Sequence, residues 1–133
     1  MQKMTLGLLA LALTSLPLPS ACAQSRKQKR EDGYRAALHS YAEIVRVGAT
    51  RKEVEELLKS RNTSFGHLCC VEKGTTFSDL IQIGKEKHPW FCEAHIVYIA
   101  IEFVTIDPNA PTKMNESDVV QKVTIWHHLE GCL

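Results

Sequence analysis

The stretch that decides the fold is residues 95–106, with the sequence HIVYIAIEFVTI. Every second residue from Val97 to Phe103 is large and apolar, and the residues between them include Tyr98 and Glu102. A period of two is typical of a β-strand that has one face in a hydrophobic core. We therefore expect this strand to be central and the other segments to pair with it or cover it.

Three other segments carry weaker strand signals. Residues 63–71 and 118–129 are both predicted to be strands, and the second of them is rich in β-branched residues. Residues 77–83 are apolar but short, so either a strand or a helical turn fits them. The prolines and asparagines of residues 107–117 predict a loop before the last strand.

A first helix is predicted from Gly33. From this point apolar residues recur at helical spacing and form one stripe: Tyr34, Ala37, Leu38, Tyr41, Ile44 and Val45. Gly48 is well placed to end this helix in a left-handed conformation.

A second helix is predicted to run from Thr50 to about Arg61. Thr50 and Glu53 have the spacing of a capping box, in which each side chain bonds the other residue's backbone N–H. Its buried face is expected to carry Val54, Leu57 and Leu58. The four-residue spacings of Arg51, Glu55 and Lys59 predict two weak ion pairs. The expected fold is α+β, with two N-terminal helices packed on a three- to four-stranded antiparallel sheet.

Residues 1–23 have the pattern of a bacterial secretory signal. Lys3 precedes an apolar run at residues 6–18, and Ala21, Cys22 and Ala23 fit a small-x-small cleavage site. The run is too short to span a membrane, so no transmembrane helix is expected. Lipidation of Cys22 is an alternative route, although Pro19 stands where bacterial lipoproteins usually carry a large aliphatic residue. The predicted divisions are a signal at 1–23, a flexible linker at 24–32 and one α+β domain at 33–133.

The charge balance gives little indication of a partner. Lys and Arg number 16 against 15 Asp and Glu, for a net charge of +1. This balance does not favour binding to nucleic acid, and we expect no nucleic-acid partner. A basic run at residues 26–30 is interpreted as a solvated N-terminus, with a surface-binding arm as the alternative. We expect an exported protein, either periplasmic or secreted.

Four cysteines remain after residue 23, namely Cys69, Cys70, Cys92 and Cys132. An even number in a small exported domain predicts two disulfides. If the three clear strands form an antiparallel meander, all four cysteines meet at one end of the sheet. Neighbouring strand residues point to opposite faces, so Cys69 and Cys70 are expected not to bond each other. One should then pair with Cys92 and the other with Cys132, and the sequence leaves open which.

The alternative to disulfides is a metal site or a reactive thiol pair at the same end. His88, His95, His127 and His128 are expected near these cysteines, and zinc accepts both residue types. However, structural zinc sites favour cysteines about two to four residues apart. A Cys-x-x-Cys redox motif is also absent from the sequence. We therefore assign no metal ligand and expect no cofactor.

Three aromatic residues are candidates for a partner surface: Trp90, Phe91 and Trp126. The alternative is that Trp90 and Phe91 form a plug over a disulfide at Cys92. The sequence has no Gly-x-Ser-x-Gly, phosphate-loop or His-Glu-x-x-His motif, so no catalytic residue is assigned. We expect a non-enzymatic protein-binding or structural domain. A metal-binding protein or an enzyme with a Cys/His-rich site at one sheet end is the alternative.

Residues 48–58, GATRKEVEELL, resemble a segment of the SmpA/OmlA-like domains. The shared features are Gly48 and Thr50, followed by Glu53 and Val54 and then by the Leu57-Leu58 pair. Those domains are small outer-membrane-assembly lipoproteins that pack two helices on an antiparallel sheet. The resemblance implies the same fold and a protein-binding role in the bacterial envelope, with an envelope protein as partner.

Overall fold

A computed structural model describes residues 25–71, 76–105, 107, 109 and 113–133. The chain is α+β, and two helices precede a four-stranded antiparallel sheet of strand order β1-β2-β3-β4. In chain order the elements are α1 (Arg26–Ile44), α2 (Arg51–Ser60), β1 (Gly66–Leu68), β2 (Ser78–Glu86), β3 (Ala94–Val104) and β4 (Val119–Glu130). The predicted fold class is confirmed at this level. The predicted signal and Cys22 lie outside the described residues.

Helix α1 begins earlier than the sequence predicts. The linker prediction is wrong for residues 26–32, because they form the first two turns of α1. Ser25 caps this helix, and its hydroxyl accepts a hydrogen bond from the Gln28 N–H at 3.1 Å. The segment is rich in Arg, Lys, Gln and Glu, which favour helix without giving an apolar period. Neither α1 nor α2 is both long and apolar enough to cross a membrane.

The central strand predicted from the sequence is β3, which pairs with β2 on one side and β4 on the other. Its two faces are those set by the alternation. Residues 97, 99, 101 and 103 form what we call the core face, and residues 98, 100 and 102 form the second face. All of the ambiguous segment at residues 77–83 except Phe77 belongs to β2, whose pairing shifts between Gln82 and Gly84.

One apolar cluster contains residues of both helices and of the sheet. Its buried members are Val45, Val54, Leu58, Ile81, Ile99, Ile101, Phe103 and Val120. Ala37, Leu38, Tyr41 and Ile44 of α1 pack against this cluster, as their helical stripe predicts. On α2, Val54 and Leu58 are buried as expected, whereas Leu57 is only partly buried.

The link between the helices lies beside the start of β4. The Gly48 N–H donates to the Val120 carbonyl at 2.8 Å, and the Val120 N–H donates to the Ala49 carbonyl at 2.9 Å. Thr50 and Val119 then form an antiparallel bridge. Helix α1 ends at Ile44, before Gly48, but Gly48 has the expected positive φ of 87°. This pairing fixes where α2 begins and therefore where Arg51 lies.

Candidate functional site

The cysteines form pairs different from those expected. Cys92 lies at disulfide distance from Cys132, and Cys69 lies at disulfide distance from its neighbour Cys70. The predicted pairing of Cys69 and Cys70 with the other two is therefore wrong. The reason is the strand order. Because β2 lies between β1 and β3 and is antiparallel to both, β1 runs parallel to β3, and not antiparallel to it as a three-stranded meander would require.

The end of β1 consequently lies at the far end of the sheet from the Cys92–Cys132 pair. Leu68, the last residue of β1, pairs with Ser78 at the start of β2, and Asp79 pairs with Ile101. Ile101 is seven residues along β3 from Ala94, which is about 23 Å in an extended strand.

The four histidines of the rival metal site do not converge with these cysteines. His95 and His127 do lie together, with 3.0 Å between Nε2 of the first and Nδ1 of the second. His128 instead stacks on Trp126 at 4.5 Å between ring centroids. The His88 Nδ1 lies 3.0 Å from the Pro89 carbonyl oxygen. The histidines therefore provide one surface pair, and the alternative Cys/His site is not assembled among the described residues.

The three aromatic candidates for a partner surface lie in two different places on the protein. Trp90 is 89% exposed and meets Phe91 edge-on at 5.8 Å between ring centroids. Trp126 stacks between Tyr98, at 6.0 Å, and His128. Because the Trp90 ring is almost fully exposed, it does not plug the disulfide at Cys92.

Among the described residues, a group of buried charges lies at the other end of the sheet, around Arg51. This side chain is 3% exposed, and Asp79 and Asp118 are fully buried beside it. Arg51 Nη1 donates to Asp79 Oδ1 at 2.7 Å, and Nη2 lies 3.4 Å from Asp118 Oδ2. Nη2 also donates to the Phe77 carbonyl at 2.6 Å, and the guanidinium lies 4.0 Å from the Phe103 ring centroid. Buried charges of this kind stay ionised only when they are paired and hydrogen-bonded.

His67 and Glu55 extend this group towards the surface. His67 Nδ1 lies 3.0 Å from Asp79 Oδ1, and its Nε2 lies 3.9 Å from Glu55 Oε1. Burial raises the pKa of Asp79 to about 6, although the Arg51 charge and the hydrogen bond from His67 act to lower it. Glu55, His67 and Asp79 each offer a ligand atom, and the three atoms lie within 4.8 Å of one another.

Sequence reasoning missed this group, but a signal for it was present. Arg51 is three residues before Val54 and seven before Leu58, so the helical period places it on the buried face of α2. The expected Glu55–Lys59 pair is present at 3.6 Å, whereas Arg51 pairs with Asp79 and Asp118 instead of the expected Glu55. The pairing of His67 with Asp79 depends on the β1–β2 register, which the sequence did not give.

Tyr34, Glu86 and Arg30 form a smaller polar contact between α1 and β2. The Tyr34 hydroxyl donates to Glu86 Oε1 at 2.9 Å, and Arg30 Nε donates to the same oxygen at 3.1 Å. Desolvation and the Glu86 carboxylate raise the pKa of Tyr34. Desolvation also acts to raise the pKa of Glu86, but the hydrogen bonds from Tyr34 and Arg30 outweigh it and the pKa is lowered. This contact fixes α1 to the sheet and resembles no catalytic arrangement.

No protein-family model, no curated protein and no solved structure matches this chain. The capping box within residues 48–58 is present, with Thr50 and Glu53 bonding each other's backbone as expected. Such a box occurs in many amphipathic helices, so it does not by itself identify a family.

Proposed function

We propose that this protein is an exported, non-enzymatic domain of the bacterial envelope, periplasmic or secreted, that binds another protein or serves a structural role. Two pairs of cysteines at disulfide distance support an oxidising compartment, because such bonds are rare in reducing cytosol. The signal pattern of residues 1–23 supports export. The resemblance of residues 48–58 to SmpA/OmlA-like domains supports an envelope protein as the partner.

The observation that carries the proposal is the exposure of Trp90 beside a covalently fixed frame. The Cys92 N–H donates to the Pro89 carbonyl at 3.0 Å, and the Leu133 N–H donates to the Phe91 carbonyl at 2.9 Å. With the Cys92–Cys132 pair, these bonds hold the loop and the C-terminus together. A large aromatic side chain on a preorganised loop loses little entropy on binding, and aromatic residues of this kind dominate protein interfaces.

The proposal includes a two-layer arrangement in which both helices cover the core face of the sheet. The apolar cluster that unites Val54 and Leu58 with Ile99 and Ile101 supports it. The helix layer would leave the loop at Trp90 uncovered and free to contact a partner.

The test is capture of envelope proteins by the oxidised chain, with quantitative comparison of Trp90→Ala and Phe91→Ala against the wild type. Val47→Ala is the matched control, because Val47 is a 73% exposed apolar residue in the link between the helices. We expect at least one captured protein to be lost from the Trp90 and Phe91 variants and retained by the control. An identical set of captured proteins for all four chains would contradict the proposal.

A further inference from the structure

A compact four-residue array lies where α2 meets the β1–β2 hairpin. Arg51 and Glu55 are one helical turn apart on α2, and His67 and Asp79 are cross-strand partners in the β1–β2 register. Arg51 contacts Asp79, and Glu55 approaches His67. Each side chain is therefore positioned by a regular element and not by a flexible loop.

Together with Asp118, which also contacts Arg51, the array carries more negative than positive buried charge. Two fully buried carboxylates, Asp79 and Asp118, face one buried guanidinium, and Glu55 adds a third carboxylate at 21% side-chain exposure. Lys59 offsets Glu55 only from the surface, since its own side chain is 67% exposed. Moreover, Asp79 Oδ2 and Asp118 Oδ1 are buried without a hydrogen-bond partner in the part of the chain that the structure describes. Buried carboxylate oxygens are ordinarily satisfied, so an unpartnered one points to a ligand.

We propose that Glu55, His67 and Asp79 bind one divalent transition-metal ion, and that Zn²⁺ suits the site. One imidazole nitrogen and two carboxylate oxygens form a donor set that zinc accepts, and two carboxylates neutralise its charge. Ligands at about 2.1 Å from a tetrahedral ion lie about 3.4 Å apart, so the present spread of 4.8 Å closes by side-chain rotation.

The residues around the proposed ligands provide an outer-shell contact and access from solvent. Arg51 holds Asp79 through Oδ1, which orients the carboxylate as outer-shell partners of metal ligands do. His67 is 32% exposed at its side chain, which gives the ion a path from solvent and leaves a position for water. Asp79 pairs with Ile101, near the far end of β3 from the loop that carries Trp90, so the site is separate from that loop.

The surface pair His95 and His127 is the competitor that an experiment must separate, because two ring nitrogens 3.0 Å apart also attract zinc. The test is calorimetric titration of the oxidised, chelator-treated protein with Zn²⁺, without thiol reductant so that no free cysteine competes. His67→Gln and Glu55→Gln should each raise the zinc Kd by about tenfold or more. His95→Gln, the matched control, should leave the high-affinity step within about twofold of wild type.

A second measurement keeps the result independent of folding defects. Both ligands chosen for substitution are partly exposed, so the variants should show the same circular dichroism as wild type. Zinc should raise the Tm of the wild type and of His95→Gln, but not that of His67→Gln, because an ion that binds only the folded state stabilises it. Absence of saturable zinc binding, or binding lost only in His95→Gln, would overturn the proposal.

Discussion

Replacement of Arg51 by methionine should destabilise the protein more than any surface change. The substitution keeps similar length and apolar contact but removes the guanidinium that pairs with both buried carboxylates, Asp79 and Asp118. It also removes the hydrogen bond to the Phe77 carbonyl and the contact with the Phe103 ring. Two carboxylates would remain in a space that excludes water.

The expected loss in the free energy of unfolding is about 3–5 kcal/mol, the range for removing one partner of a buried ion pair. Domains of this size have a total stability of roughly 5–15 kcal/mol, so the variant should lie close to the limit of folding. Arg51→Lys keeps the charge but loses the planar fork, and it should lose less, about 1–2 kcal/mol. Arg35→Met removes an exposed arginine of α1 and should change stability by about 0.5 kcal/mol or less.

The assay is urea unfolding at pH 7 of the oxidised proteins, followed by circular dichroism. A triple variant, Arg51→Met with Asp79→Asn and Asp118→Asn, tests the reasoning directly. Removing all three charges should recover at least about half of the loss, because the penalty comes from uncompensated charge and not from lost attraction. If Arg51→Met loses less than about 1 kcal/mol, or if the triple variant is no more stable than the single one, the account of this cluster is wrong.

Three further changes should have measurable effects on unfolding. Gly84→Ala should lower the free energy of unfolding by about 1–3 kcal/mol, because the added Cβ would lie 2.6 Å from the Tyr34 ring. In a Tyr34→Ala background the same change should cost much less. A Gly84→Ala variant as stable as the wild type would contradict this packing. Replacing both Cys92 and Cys132 by alanine should lower the free energy of unfolding by about 4 kcal/mol in the chain-entropy model, because the disulfide joins residues 40 positions apart. An unchanged urea midpoint would exclude this bond. For Asp79, the folded protein takes up a proton near pH 6 that the unfolded chain takes up near its ordinary pKa of 3.8. The stability that this group contributes is therefore present below about pH 4 and lost as the pH rises through about 6. Asp79→Asn should abolish this part of the pH dependence, and an identical pH profile of unfolding for both proteins would disprove the raised pKa.

The strand predicted best is β3, whose alternation has no interruption from Val97 to Phe103, so the pattern indicates both that the segment is a strand and which residues share a face. In β4 the alternation is broken where the pairing shifts between Val120 and Lys122. β2 was ambiguous because the apolar part of its sequence, residues 77–83, is short, and the pairing shift between Gln82 and Gly84 breaks the period of two beyond it. β1 was predicted too long, since composition indicates extended chain but pairing with β2 limits it to Gly66–Leu68.

The candidate site was less predictable because it depends on long-range pairing. Predicting the cysteine pairs required the correct number of strands. Because β2 is an additional strand between β1 and β3, Cys69 and Cys70 lie at the end of the sheet opposite Cys92 and Cys132. Arg51 was classed by residue type as a surface charge, whereas its position in the helical period indicated burial. An arginine on an apolar stripe is therefore a signal that a buried carboxylate partner exists elsewhere in the chain.

The pairing of the interhelical link with β4 has a consequence for the order of folding. Each strand of the sheet pairs with its neighbour in sequence, so those contacts form between nearby parts of the chain. The bridge between Thr50 and Val119 instead joins residues about 70 positions apart, and closing such a loop costs roughly 4 kcal/mol of chain entropy. The hairpins should therefore form first, and the docking of α2 should come late. Destabilising substitutions within the β3–β4 hairpin would then slow folding, whereas destabilising substitutions in the link between the two helices would mainly speed unfolding.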